Sequence, residues 1–171
     1  MDVNEEIVKE WIHSCKQQFT IDDLQFKVYG SKGGSNYSNI DILAVDKSGN
    51  YYAYEIKWRS RFTISKSNKN KIKKFLSQLI RKERNAKIKS IIGNRKINHV
   101  LVTTHQLLGR SREKREYMEK QFIKRGITIV YFEDIFRELI QKIEVNGRYN
   151  SPVMQTIRIL KYFKLIKNSK D

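Results

Sequence analysis

The segment AYEIKWRS, Ala53 to Ser60, sets Glu55 and Lys57 one residue apart in an otherwise apolar run. In a strand, that spacing sends both side chains to one face. The preceding apolar segment, IDILAV, carries a single acid, Asp41, and the intervening DKSGN has the composition of a tight turn. A hairpin closed by Lys47-Ser48-Gly49, with Gly49 in the left-handed position of a three-residue loop, pairs Asp46 with Asn50 and Val45 with Tyr51. The same register carries Asp41 to a place opposite Glu55, with Cα atoms about 4.5 to 5.5 Å apart and Lys57 on the shared face. A slip of one residue would turn Asp41 away, so the chemistry depends on that turn.

Two carboxylates held so close repel each other, and a half-buried pair is costly without compensation. A divalent cation removes the cost. Ligands that are all oxygen favour a hard ion, Mg²⁺ or Mn²⁺, which retains waters and accepts phosphate oxygens. Lys57 is then placed to orient or deprotonate an attacking water, or to neutralise charge developing on a phosphoryl group. The plainer alternative is a structural salt bridge in which Lys57 balances the two acids.

The elements that must hold these residues follow from periodicity. Apolar residues at 8, 11, 12, 15 and 19 predict a first helix from about Asn4 to Gln18, with Cys15 on its buried stripe. LQFKVYG predicts a strand, SKGGSNYSN a loop, and IDILAV and YYAYEIKW two central strands. A basic helix is expected from about Ser65 to Ile92, closed by Gly93. The strand HVLVTT, the helix SREKREYMEKQFIKRG, the strand ITIVYF and the helix EDIFRELIQKI come next, and VMQTIRILKYFKLIK predicts a last, basic amphipathic helix. The order is α-β-β-β-α-β-α-β-α plus that C-terminal addition. Both faces of the central strands are apolar, as in a sheet covered by helices on both sides. At 171 residues the chain is expected to form one domain, with a core over about 4–144 and a helical extension over about 150–168.

Thirty-five Lys and Arg stand against 18 acids, a net charge of +17, which points to a polyanionic partner, nucleic acid first. From Lys66 to Lys96 there are twelve basic residues and one acid, Glu83. A run of one sign cannot form the i,i+4 ion pairs of an ordinary solvated helix face, so phosphates are its expected counter-charge. Lys71, Lys73 and Lys74 are its candidate phosphate contacts, joined by Arg59 and Arg61 just after the acidic motif and by Lys32, where Gly33 and Gly34 allow close backbone approach. Trp58 is expected in the core, with stacking on a base as its other use. The glycine loop is no Walker A motif, because no Gly-Lys-Ser/Thr closes it. His13, His99 and His105 lie on separate elements and are expected to be structural. The single cysteine, Cys15, rules out an internal disulfide framework and zinc fingers. No apolar run is long enough to span a membrane, and MDVNEE does not have the form of a signal peptide, so a cytoplasmic location is expected.

Asp41 followed by Glu55-Ile56-Lys57 at the end of the next strand, after a helix with acids at its start and before another helix, resembles the PD-(D/E)XK nuclease superfamily. Within it, GSKGGSNYSNIDILAV followed by YEIK is most similar to the archaeal Holliday junction resolvases. The resemblance covers about Asn4 to Gln78. It lacks the proline of the motif's name, Ile40 standing before Asp41. It implies a restriction-endonuclease-like α/β fold, a mixed β-sheet flanked by helices, and Mg²⁺- or Mn²⁺-dependent hydrolysis of DNA. It also implies Asp41 and Glu55 as metal ligands, Lys57 as the assisting cation, and an acid from the first helix among Glu5, Glu6 and Glu10. Helical phase favours Glu5, which alone borders the apolar stripe. Gln78 matches by position a glutamine that several branches carry near the site, although on so polar a helix an exposed surface role suits it better. A resolvase would work as a homodimer, cutting symmetrically across a junction. The rival from another class is a non-catalytic DNA- or RNA-binding protein on a nuclease-like scaffold.

Overall fold

The computed structural model describes residues 3–29, 35–58, 82–109 and 111–166. Among these, the helices are α1 (Val3–Trp11), α2 (Lys82–Ile92), α3 (His105–Leu108), α4 (Arg112–Ile123), α5 (Phe132–Lys142) and α6 (Pro152–Tyr162). The strands are β1 (Phe19–Tyr29), β2 (Ser35–Val45), β3 (Tyr51–Lys57), β4 (Ile97–Thr103) and β5 (Ile127–Tyr131). They form one mixed sheet in the order β1-β2-β3-β4-β5. The first three strands are antiparallel neighbours, and β3, β4 and β5 run parallel. This is the mixed, helix-flanked α/β architecture expected from the sequence.

The hairpin between β2 and β3 closes as its composition dictates. Gly49 takes φ +79°, its amide bonds to the Asp46 carbonyl at 3.0 Å, and Asp46 Oδ1 accepts from the amides of Ser48 and Asn50 at 2.9 Å each. Val45 pairs with Tyr51 and Ile42 with Tyr54, the register that carries Asp41 toward Glu55.

Alternation then divides the central strands between two layers. Ile42, Ala44, Tyr54, Ile56, Val100 and Val102 share a core with α1, α5 and α6, anchored by Val8, Ile12, Ile135 and Leu139. Leu43 and Ala53 pack with Ile88 and Ile92 of α2, and Leu101 with Met118 and Phe122 of α4. The C-terminal helix is therefore part of the main core through Met154 and Ile157.

Four local expectations differ from the structure. The first helix loosens at Ile12–Lys16 into a wider π-helical turn, ended by Gln17 at φ 53°. Ser35 to Asn39, read as loop from their polar composition, continue β2 and pair with Gln25 to Tyr29. On such an outer hairpin, solvent accepts the side chains of Asn36 and Asn39, and Tyr37 is 72% exposed. Phe132 begins α5 rather than ending β5, and the short α3 follows β4, its first turn capped by Thr104. Of the segment expected to form a long basic helix, the described residues form α2.

Candidate metal centre and nucleic-acid interface

Asp41 lies where the paired part of the β2–β3 ladder ends. Beyond Ile42 and Tyr54, the Asp41 carboxylate Oδ2 accepts the Ile56 amide at 2.6 Å, so a side chain takes a bond that a backbone carbonyl would otherwise accept. On the next strand, the Lys57 ammonium lies 2.7 Å from Glu55 Oε1. The spacing within β3 makes this pair local, and the register brings Asp41 to it.

Electrostatics tie the cluster together. Burial first and the Glu55 charge second raise the Asp41 pKa from 3.8 to about 6, against the opposing pull of Lys57 and the Ile56 amide. The Glu5 charge on α1 adds the smallest contribution to the rise. Burial opposes the charge on Lys57, but Glu55 and Asp41 outweigh it and lift the pKa above the ordinary lysine value. Lys57 is therefore an ammonium at neutral pH.

A further member went unrecognised among the twelve basic residues of its segment. Arg84, on the first turn of α2, is 2% exposed, and its guanidinium reaches Glu55 Oε2 at 3.4 Å and His99 Nδ1 at 3.4 Å. A guanidinium only donates, so Nδ1 accepts and the His99 ring proton resides on Nε2. Burial and then the Arg84 charge push the His99 pKa down to about 4, leaving the ring neutral at pH 7. The one available signal for Arg84 was its spacing from Ile88 and Ile92, which places all three on the inward stripe of α2.

Among the described residues, no three His, Cys, Asp or Glu side chains converge closely enough to hold a metal ion by themselves. The donor set is the Asp41–Glu55 pair, with Glu5 in electrostatic range. It fits a hard divalent ion, which needs only one or two protein carboxylates and fills its remaining positions with water or phosphate. The elevated Asp41 pKa reflects a carboxylate withdrawn from water beside a second one, and a bound cation would relieve both effects.

Lys32, Arg59, Arg61, Lys71, Lys73, Lys74 and Gln78 lie outside the described residues. The described end of the basic run exposes Lys82, Lys89, Arg95 and Lys96. Lys82, Asn85, Lys89, Arg95 and His99 line a groove of about 450 Å³ between α2 and the start of β4. A larger hollow, about 710 Å³, lies among Lys9, His13, Gln17, Thr20 and Lys47, and none of the clustered carboxylates lines it. Trp58, expected in the core, is instead 43% exposed, its ring edge-on to Phe132 at 4.7 Å between centroids. The histidines are dispersed as expected: His13 bonds Thr20, His99 sits by Arg84, and His105 stacks on Tyr131. Cys15 is half-buried against the main core. No described helix is long and apolar enough to cross a membrane.

No family model matches the chain, and no curated protein matches it. Among solved structures, an fdxN element excision controlling factor protein from Anabaena variabilis is similar over 81% of this chain and 95% of its own, at 16% identity and a TM-score of 0.47. That degree of likeness assigns neither a family nor an activity.

Proposed function

We propose that this protein is a metal-dependent nuclease that hydrolyses phosphodiester bonds in DNA, with Asp41 and Glu55 as ligands of Mg²⁺ or Mn²⁺. The observation that carries the reading is the convergence of Asp41, Glu55 and Lys57 where the β2–β3 ladder opens, with the Asp41 pKa raised to about 6 by burial and by Glu55. A bound divalent ion would offset the paired carboxylates and draw phosphate oxygens to them. Glu5 adds negative charge from α1. Lys57, held protonated by its acidic neighbours, supplies positive charge for a phosphoryl group gaining negative charge, a role that suits it better than that of a base. Lys82, exposed on the first turn of α2 beside Arg84, offers a phosphate contact near the cluster, while Lys89, Arg95 and Lys96 extend the basic surface toward the Tyr51 end of β3. A branched-DNA resolvase acting as a homodimer is the narrower form of this proposal.

One observation favours a second reading, a nucleic-acid-binding protein without catalysis: both oxygens of Glu55 already have cationic partners, Lys57 and Arg84. Cleavage assays separate the two. Labelled junction, flap, duplex and single-stranded DNA should be cut in Mg²⁺ and remain intact in EDTA. Asp41→Ala and Glu55→Ala should each lower cutting by about a hundredfold or more while binding in EDTA persists. Binding without cutting on every substrate and with either metal would leave the binder.

A further inference from the structure

The basic run presents most of its described cations to solvent, yet Arg84 points the other way. Burying a guanidinium is costly unless it is paired and hydrogen-bonded, so its position calls for a role that a lysine on the surface does not have. Its surroundings are specific. One terminal nitrogen reaches Glu55 Oε2 at 3.4 Å, the other reaches His99 Nδ1 at 3.4 Å, and its charge is felt by both Asp41 and Lys57. Lys57 occupies the other Glu55 oxygen, Oε1, at 2.7 Å.

We infer that Arg84 is the positioning residue of the metal centre, holding Glu55 by Oε2 so that Oε1 is the oxygen that exchanges between Lys57 and a divalent cation. The inference rests on the metal-site reading above. Gripping one oxygen from α2 restricts rotation of the carboxylate and leaves Oε1, the oxygen paired with Lys57, as the one a cation would share. The neutral His99 ring braces the guanidinium on its second side without adding a charge that would compete with the incoming cation. Arg84 is well suited because its planar fork donates in two directions at once, whereas an ammonium is a point donor. It touches neither phosphate nor water in this role and acts through Glu55.

The test is Mn²⁺ binding to the intact protein without nucleic acid, followed by electron paramagnetic resonance, for wild type, Arg84→Met and Arg84→Lys, with a melting curve for each. Loss of a partner that orients a metal-ligating carboxylate commonly weakens metal binding by about ten-fold or more, which is the expectation for Arg84→Met. Arg84→Lys should recover part of that loss, since it restores the charge but not the fork. Tighter Mn²⁺ binding by Arg84→Met would show that Arg84 only repels the cation, and unchanged binding that it only packs α2 on the sheet; either overturns the inference. If Arg84→Met does not fold, Arg84→Lys decides, because undiminished affinity there is incompatible with a two-directional grip. Wild-type protein that binds no Mn²⁺ would remove the metal-site reading and this inference together, whereas wild-type binding that survives in both variants would remove the Arg84 inference alone.

Discussion

The two faces of β3 differ by one residue in sequence and by almost everything in chemistry. Tyr54 and Ile56 point into the core formed with α1, α5 and α6, where contacts are apolar and the tyrosine hydroxyl reaches out to Gln18 at 2.9 Å. Glu55 and Lys57 point toward α2, into a half-buried knot of charge with Asp41 and Arg84. The first face gains stability by removing apolar surface from water, which is insensitive to pH. The second keeps ionised groups where water is scarce, a costly arrangement that hydrophobic residues of similar volume often improve on. A strand that concentrates its expense on one face and its stability on the other has the division expected of a rigid scaffold carrying a site.

That contrast can be broken from either side. Truncating the apolar face should have the largest effect on folding: Leu139→Ala, at a fully buried position on α5, should cost about 2 to 5 kcal/mol, read as a lower urea midpoint with an unchanged slope. Metal binding by the folded fraction should be unchanged, and a parallel loss would mean that the two faces are not separable.

Changing the charged face should act in the opposite direction. Asp41→Asn keeps an acceptor for the Ile56 amide and removes the charge, so it should stabilise the metal-free protein near neutral pH. The sign follows from linkage. Below about 3.8, both states of the wild type hold the proton and there is no penalty. As pH rises toward 6, the unfolded chain ionises first, and above 6 the folded chain bears the whole cost of the buried charge, up to about 3 kcal/mol. The advantage of Asn should therefore grow between about pH 4 and pH 6 and then level off. Urea unfolding in EDTA at a series of pH values measures it, and an advantage that is flat with pH would contradict the raised Asp41 pKa. His99 runs the other way, since its lowered pKa removes stability as pH falls from 6.5 toward 4, so the wild-type profile alone would blur the two.

The smallest effect concerns the border between the faces. The chain has two tryptophans, and Trp11 is buried, 3% exposed, and bonded to Glu138, while Trp58 stands open beside Lys57. Trp58→Ala should weaken binding of single-stranded DNA in EDTA by about 1 to 3 kcal/mol if a base stacks there, and wild-type tryptophan fluorescence should be quenched on binding. Fluorescence that does not respond to a saturating oligonucleotide would assign Trp58 to packing against Phe132.

Much of the candidate site was readable because it is local. The turn chemistry of Asp46 to Asn50 set the hairpin, the hairpin set the register, and period-two alternation gathered Asp41, Glu55 and Lys57 on one face. Helical phase pointed to Glu5 over Glu6 and Glu10 because Glu5 borders the apolar stripe, and in the structure the Glu5 charge bears on Asp41. Strand ends and polar strand residues were harder. Ser35 to Asn39 have loop composition, and only pairing with β1 makes them strand.

What the sequence by itself determined, then, was the set of elements, the excess of positive charge and the register that unites three charged residues, because each follows from spacing along the chain. Tertiary structure alone decided which of the six described basic residues between Lys66 and Lys96 turns inward. Arg84 differs from Lys82 or Lys89 only in where α2 lies on the sheet, and that position depends on Ile88 and Ile92 finding Leu43 and Ala53, residues far away in sequence. It likewise decided that Trp58 stays open to solvent, because a side chain at a strand's end is covered or uncovered by elements that its neighbours do not encode.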